Sequence, residues 1–353
     1  DLAAAALGSC DTSPSAPRGL LLHLFAGGPR DGSFAHFATA LGFDVIERDI
    51  ILDPGHNLVD DRVFAEVIEL IQSGAVKAVL LGTPCGTFSV LRIPQQDGRE
   101  GPPQLRDRLH PMGMPGVPRQ NLNELATANV LVRRTVIIAQ AIADAGGVFI
   151  IENPPDRGDG PLYQAKFASH APLWLVPEVI ELADRTGAIK ITFPQCALGS
   201  DFQKWTTLLV SPQLVPQLVD LSRLACQHPD GHRDVAVGAR AARAAAYPPL
   251  MNRRLAEAIS DCLTSLGGGA PKESSHLAGD AAGEASEPAG EDLDAPAAGR
   301  GSKGIVADAV DCRRNDLRGS KRSRDGMRDA QLSQRARQRL KRRQAASSGE
   351  AGD

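Results

Sequence analysis

Two side chains that follow apolar runs carry the chemistry this sequence is equipped for. In "VLLGTPCGTFSV" (79–90) a leucine and valine stretch stops at Thr83-Pro84-Cys85-Gly86, leaving one cysteine just past a buried strand. A thiol there is either buried filler, the commonest fate of a free cysteine, or a nucleophile that attacks as its thiolate. In "VFIIENPP" (148–155) Glu152 and Asn153 leave an apolar strand in the same way. A carboxyl emerging from such surroundings suits a general acid, because burial disfavours its charged form. It equally suits a structural carboxylate that caps a turn.

A binding function is suggested upstream. "HLFAGGPRDGSF" (23–34) is a Gly-rich turn between a strand and a helix. Its glycines let backbone approach a ligand, and the helix N-terminus adds a positive dipole end. The G-x-G-x-x-G spacing of dinucleotide sites is absent, and a plain tight turn accounts for the same residues. The next strand closes with Glu47-Arg48-Asp49, about twenty residues on, where an acidic side chain at a strand end can hold two ribose hydroxyls. Asp60 and Asp61 are placed either to work beside the base or to cap the helix "RVFAEVIELI". Farther along, Cys196 and the segment "ACQHPDGHR", with Cys226, His228 and His232, supply two thiols and two imidazoles. Those four could close a tetrahedral zinc site, although the spacing is not a standard one and a polar turn with an ordinary buried cysteine explains it too.

Positioning these groups requires a sheet. Apolar runs at 20–25, 44–48, 78–82 and 148–152 are bounded by Gly, Pro or Asp and alternate with helical periodicities at 62–74 and 121–147. This alternation predicts a parallel sheet covered by helices. Further strands are expected at 189–193 and 206–210, with short helices after Pro161 and a closing helix near 249–263. Residues 93–120, with six prolines, read as a long functional or mobile loop placed to close over whatever Cys85 attacks.

Taken in order, "LFAGGPRDGSF", "ERD", "GTPCGTFS" and "IIENPP" resemble the S-adenosylmethionine-dependent DNA methyltransferases that act on carbon 5 of cytosine. The resemblance covers roughly 19–155, and the Pro-Cys and Glu-Asn pair is its most specific part. It implies an α/β, Rossmann-like methyltransferase sheet with helices on both faces. It further implies that Phe25, Ala26, Gly27 and Gly28 grip the methionine part of the cofactor, Glu47 holds the ribose, Pro84 and Cys85 supply the nucleophile, and Glu152 and Asn153 hold a flipped base. The family's Gln-x-Arg-x-Arg strand and sequence-reading region are not evident. "QCALGSDFQKWTTLL" stands in their place, with Lys204 its only cation. The second half loosely resembles methyltransferase-like segments of mobile-element polyproteins.

Composition bounds the rest. The formal net charge is −3, but 268–299 holds seven acidic residues against one lysine, whereas 300–345 holds fifteen Lys/Arg against five Asp. With almost no aromatic or β-branched residues, 267–353 is expected to be a disordered tail, as is 1–18, flanking one domain over 19–266. The run "RARQRLKRRQ" suits a localisation signal or phosphate contacts, and nucleic acid, DNA before RNA, is the expected partner. Six cysteines without framework spacing favour a reducing, intracellular setting, nuclear if the basic run is read as an address. No run approaches the ~20 apolar residues of a membrane span, so no membrane partner is expected. Asp1 in place of an initiator methionine suits a piece of a longer chain. Two other readings compete. "ENPPD" could be the Asn-Pro-Pro-aromatic motif of amino-group methyltransferases, except that Asp156 replaces the aromatic. Alternatively the chain is a non-catalytic nucleic-acid-binding or scaffolding module that keeps the fold.

Overall fold

The strand runs form β1 (Leu20–Leu24), β2 (Asp44–Arg48), β3 (Val76–Leu81), β4 (Val148–Asn153), β5 (Ile189–Pro194) and β6 (Trp205–Val210). Helices are α1 (Phe34–Ala40), α2 (Asp61–Gln72), α3 (Leu122–Asp144), α4 (Pro177–Thr186), the single turn α5 (Val215–Leu218) and α6 (Pro249–Gly267). The structure is a computed structural model that describes residues 18–94, 101–202, 204–228 and 244–267. These all belong to one unit, Asp1–His276; the other, Leu277–Asp353, lies outside the described residues. So do the expected disordered segments, apart from Arg18 and Gly267. Arg18 is anchored, donating to Ser260 Oγ on α6 at 2.8 Å and lying over the Phe43 ring.

The strands make one sheet in the order β2-β1-β3-β4-β6-β5. β1 to β4 pair in parallel, but β6 runs antiparallel to both β4 and β5, which corrects the expectation of a wholly parallel sheet. The cause is the connection. Only the ten residues 195–204 separate β5 from β6, and parallel neighbours need a crossover of a dozen or more.

Alternation along the strands divides the core in two. Leu22, Leu24, Val79, Leu81, Phe149 and Ile151 pack under α2, α3 and α4. Leu21, Ala78, Leu80, Val148, Ile150 and Phe193 pack on the opposite face, under Phe34 of α1 and Met251, Leu255 and Ile259 of α6. Successive residues of a strand point to opposite faces, so nearly continuous apolar runs can serve both layers. Helices therefore cover both faces. Residues Arg119–Asp144 form the one helix among those described that is long and apolar enough to cross a membrane, although Arg133 and Arg134 interrupt its apolar residues. Val132, Val136, Ile138, Ala139 and Ile142 of that helix are spent on the core.

The order of strands reverses between β1 and β3. Chain leaving β1 goes to β2 on one side and returns through α2 to β3 on the other, which opens a crevice beyond the strands' C-terminal ends at that switch point. The long proline-rich segment is not the free lid that its composition suggested. Over 101–118 it is tied down by Arg106, which is 2% exposed, stacks on Phe88, and donates to Thr87 Oγ1, the Pro111 carbonyl and Asn129 Oδ1. Residues 95–100 lie outside the described residues.

Candidate active site

A cleft of about 640 Å³ occupies the switch point, a size that suits a small-molecule or cofactor site. Its wall is built from the C-terminal ends of four strands. Phe25 to Arg30 follow β1, Asp49 to Ile51 follow β2, Gly82 to Cys85 follow β3, and Glu152 belongs to β4. Phe25, Ala26, Gly27, Gly28, Pro84, Cys85 and Glu152, all singled out from sequence, meet there.

The Gly-rich turn is bent by backbone conformation. Phe25 sits at φ 60° and Gly27 at φ 76°. For phenylalanine the left-handed region costs roughly 1–2 kcal/mol, a strain that recurs at functional sites. Hydrogen bonds hold it: Phe25 N–H donates to the Arg48 carbonyl at 2.8 Å, and Gly27 N–H to Asp49 Oδ2 at 2.9 Å. The helix that follows contributes no dipole to the cleft. α1 is seven residues long, its N-terminus is capped by Ser33, and the lining ends at Arg30.

Glu47, which the resemblance assigns to the ribose, does not line the cleft. It lies in register with His23, whose Nδ1 is 3.1 Å from Glu47 Oε1, on the face turned toward Phe34 of α1. Burial pushes the His23 imidazole below its ordinary value despite that carboxylate. The acidic group that β2 brings to the cleft is Asp49, the first residue past the strand. Its two oxygens accept from Gly27 N–H and Ile51 N–H and keep lone pairs to spare. Beside it Ile50 and Ile51 are 60% and 71% exposed, an apolar shelf at the cleft wall. Asp60 is the N-cap of α2, accepting from Arg62 N–H, and that bond holds its carboxyl below the usual range. Asp61 pairs with Arg134. Neither lines the cleft, which takes Asn57, Leu58 and Val59 instead.

Cys85 follows β3 in a bridge-like conformation (φ −93°, ψ 0°) and starts the 3₁₀ turn Gly86–Phe88. Its thiol is pushed up by burial and then by the charge of Glu152, while Lys204 draws it down. Burial is the larger cause, and the charge of Glu152 adds to the preference for the protonated thiol. Glu152 is 6% exposed and is met by donors on both oxygens: Thr206 Oγ1 to Oε1, and the Tyr247 hydroxyl to Oε2 at 2.9 Å. Lys204 Nζ stands 3.9 Å from Oε1 and 5.5 Å from the Tyr247 ring centre. Asn153 is fully buried and does not line the cleft. Its Nδ2 donates to the Thr83 carbonyl at 2.8 Å, so it fixes the loop that carries Cys85. Sequence reasoning missed Asp49, Tyr247 and Thr206 and gave Lys204 no role.

Away from the cleft, the ligand atoms of Cys196, Cys226 and His228 lie within 4.8 Å of one another. Burial and Cys226 push the Cys196 thiol up to about 11. His232, the fourth expected ligand, lies outside the described residues.

No protein-family model and no curated protein matches this sequence. Among solved structures, the chain is similar to the crystal structure of the S. pombe Dnmt2 methyltransferase, with 12% identity and a TM-score of 0.30, over 60% of this chain and 57% of that one. The chain thus spans little more than half of that structure, a likeness too slight to carry an argument about activity.

Proposed function

We propose that this chain is an S-adenosylmethionine-dependent methyltransferase-like domain that acts on cytosine in DNA, with Cys85 as nucleophile and Glu152 as acid. One observation carries the reading: a strained Gly-rich turn, a cysteine and a buried glutamate, from three different strands, line one cleft at the sheet's switch point.

The cleft suits the cofactor. Asp49 retains lone pairs for ribose hydroxyls, Ile50 and Ile51 offer a flat apolar surface to a purine, and Arg30 places a cation near the glycines for a carboxylate. When bound, S-adenosylmethionine supplies an electrophilic methyl group. Carbon 5 of cytosine is too poor a nucleophile to accept it unaided. The thiolate of Cys85 adds to the neighbouring ring carbon while Glu152 delivers a proton to the ring nitrogen, and the resulting enamine is nucleophilic at carbon 5. Once carbon 5 carries the methyl group, its proton is lost to a water molecule, the ring-nitrogen proton returns to Glu152, and expulsion of the Cys85 sulfur as thiolate restores the ring. Lys204 favours thiolate formation, because its positive charge draws the Cys85 thiol down. Asn153 positions the Cys85 loop and Tyr247 positions the Glu152 carboxyl.

The test has two parts. Calorimetry on the full chain is expected to show S-adenosylmethionine binding that survives Cys85→Ser. DNA and RNA oligonucleotides carrying 5-fluorocytosine, which cannot lose the carbon-5 substituent, are expected to trap a covalent adduct in the wild type and not in Cys85→Ser. Glu152→Gln should slow transfer by ~10²–10⁴, as for a lost general acid. An adduct on RNA alone would move the substrate from DNA to RNA. A second reading, a non-catalytic nucleic-acid module, draws support from the elevated Cys85 thiol. Cofactor binding without an adduct on any nucleic acid would establish it in place of the first.

A further inference from the structure

The segment between β5 and β6 makes a 3₁₀ turn at Gln195–Leu198 that ends at Gly199 with φ 90°. Gln195 N–H donates to the Lys204 carbonyl at 2.7 Å, so the turn and the lysine that faces Glu152 are tied together. Cys196 lies on this turn and is 6% exposed. Cys226 and His228 come from a separate stretch of chain, just after the 3₁₀ turn Val219–Arg223. Cys226 Sγ and His228 Nδ1 are 3.5 Å apart.

We infer that Cys196, Cys226 and His228 form a zinc-binding site that clamps the β5–β6 turn to the chain beyond residue 223. The donor set selects the metal. Two thiolates and an imidazole suit a borderline-soft cation that accepts tetrahedral geometry, and the two negative charges balance a dication. The spacing agrees. With Zn–S about 2.3 Å and Zn–N about 2.0–2.1 Å, tetrahedral angles place sulfur and nitrogen roughly 3.6 Å apart and two sulfurs roughly 3.8 Å apart. The Cys226–His228 pair already has that separation, and no pair in the cluster exceeds 4.8 Å. The largest adjustment on binding is therefore about 1 Å, within reach of side-chain rotation. Three protein donors leave the fourth position to water or one further side chain.

The site is separate from the cleft, so its existence does not depend on the methyltransferase reading. Its consequence there is positional: holding the turn holds the Lys204 backbone.

Metal content decides the matter without any activity assay. Untagged full-length protein, exposed to zinc and dialysed, is expected to retain about one zinc ion per chain by mass spectrometry. Cys196→Ser and Cys226→Ser are expected to fall to background, and Cys85→Ser to keep the full amount. Cobalt substitution should give a thiolate-to-metal charge-transfer band in the wild type and in Cys85→Ser but in neither ligand variant. Because a ligand variant could fail to fold, chelator titration of the wild type supplies an independent reading: zinc release at a single sharp stoichiometry. Wild-type protein without retained zinc or a cobalt band would overturn the site. So would a Cys196–Cys226 disulfide found in protein that takes up no metal, or equal zinc in Cys85→Ser and both ligand variants.

Discussion

Removing the Tyr247 hydroxyl tests the centre of the candidate site without reference to any substrate. Tyr247 and Glu152 are 95 residues apart in sequence, both buried, and joined by a 2.9 Å hydrogen bond. Tyr247→Phe keeps the ring and its packing, so the change in apolar burial is close to nothing and the loss is the bond alone. A hydrogen bond to a charged partner contributes roughly 1.5–3 kcal/mol. The other groups that meet the carboxyl, Thr206 Oγ1 by a hydrogen bond and Lys204 Nζ by charge at 3.9 Å, are both at Oε1. About 2 kcal/mol is therefore expected, or ~4–8 °C in Tm for a domain of this size. Glu152→Gln keeps the volume and removes the charge. If the two side chains meet, the double variant should lose less than the sum of the single losses, with a coupling of at least ~1 kcal/mol. Urea unfolding followed by tryptophan fluorescence is a suitable readout, since Trp205 adjoins Lys204 in sequence. Single losses that add to within ~0.5 kcal/mol would refute the contact, and with it the idea that the segment around residue 247 completes the site.

Cys85 should alkylate slowly at neutral pH and faster as pH rises beyond the ordinary thiol range. Glu152→Gln should speed that reaction and Lys204→Met should slow it, following the signs of their charges at the sulfur; iodoacetamide rates against pH check all three. The raised phenol of Tyr247 contributes stability that is complete below the unfolded value near ~10 and is lost as pH climbs above it, so Tyr247→Phe should unfold less steeply than the wild type in alkaline urea titrations. Arg106→Met removes the donor from one buried and two half-buried partners, and a loss of roughly 1–3 kcal/mol with faster proteolysis within 101–118 is expected; unchanged cleavage would count against the tether. A Cβ at Gly82 would lie 2.9 Å from the Tyr247 hydroxyl and 3.0 Å from the Phe25 carbonyl, so Gly82→Ala should cost about 1–3 kcal/mol, only partly relieved in a Tyr247→Phe background because the carbonyl contact remains.

What the sequence revealed follows the range of each physical signal. All six strands were legible because each is a short segment with β-branched or leucine residues bounded by turn or breaker residues, a signal contained within a few residues. Cys85 and Glu152 were legible for the same reason, since each closes such a segment. The antiparallel β6 was less so. Its strand character is local, but its direction depends on the ten residues before it being too few for a crossover, which requires knowing that β5 is its neighbour. The expected lid failed because composition reports what backbone can do and not what holds it. One buried arginine with four partners outweighs six prolines.

The acidic residue shows how narrow the margin is. Glu47 and Asp49 have the same chemistry and lie two positions apart, on the same side of the pleat. The difference is where pairing stops. Arg48 is the last residue of β2 in register with β1, opposite Leu24, so Glu47 is still inside the ladder, where its side chain meets His23 beneath α1. Asp49 is the first residue beyond it, and the backbone there is free to turn into the crevice. A strand-end rule applied to the first residue past the ladder selects Asp49, the acidic residue of this stretch that lines the cleft. No comparable rule finds Tyr247 or Thr206. They reach Glu152 from chain that folds back more than fifty residues later, and that return is fixed only by the assembled sheet and α6. Half of the site, the half that follows β1 and β3, can thus be read one strand at a time. The other half, which governs the charge at Cys85 and the orientation of Glu152, exists only through tertiary packing, and variants there distinguish a working site from an inherited cleft.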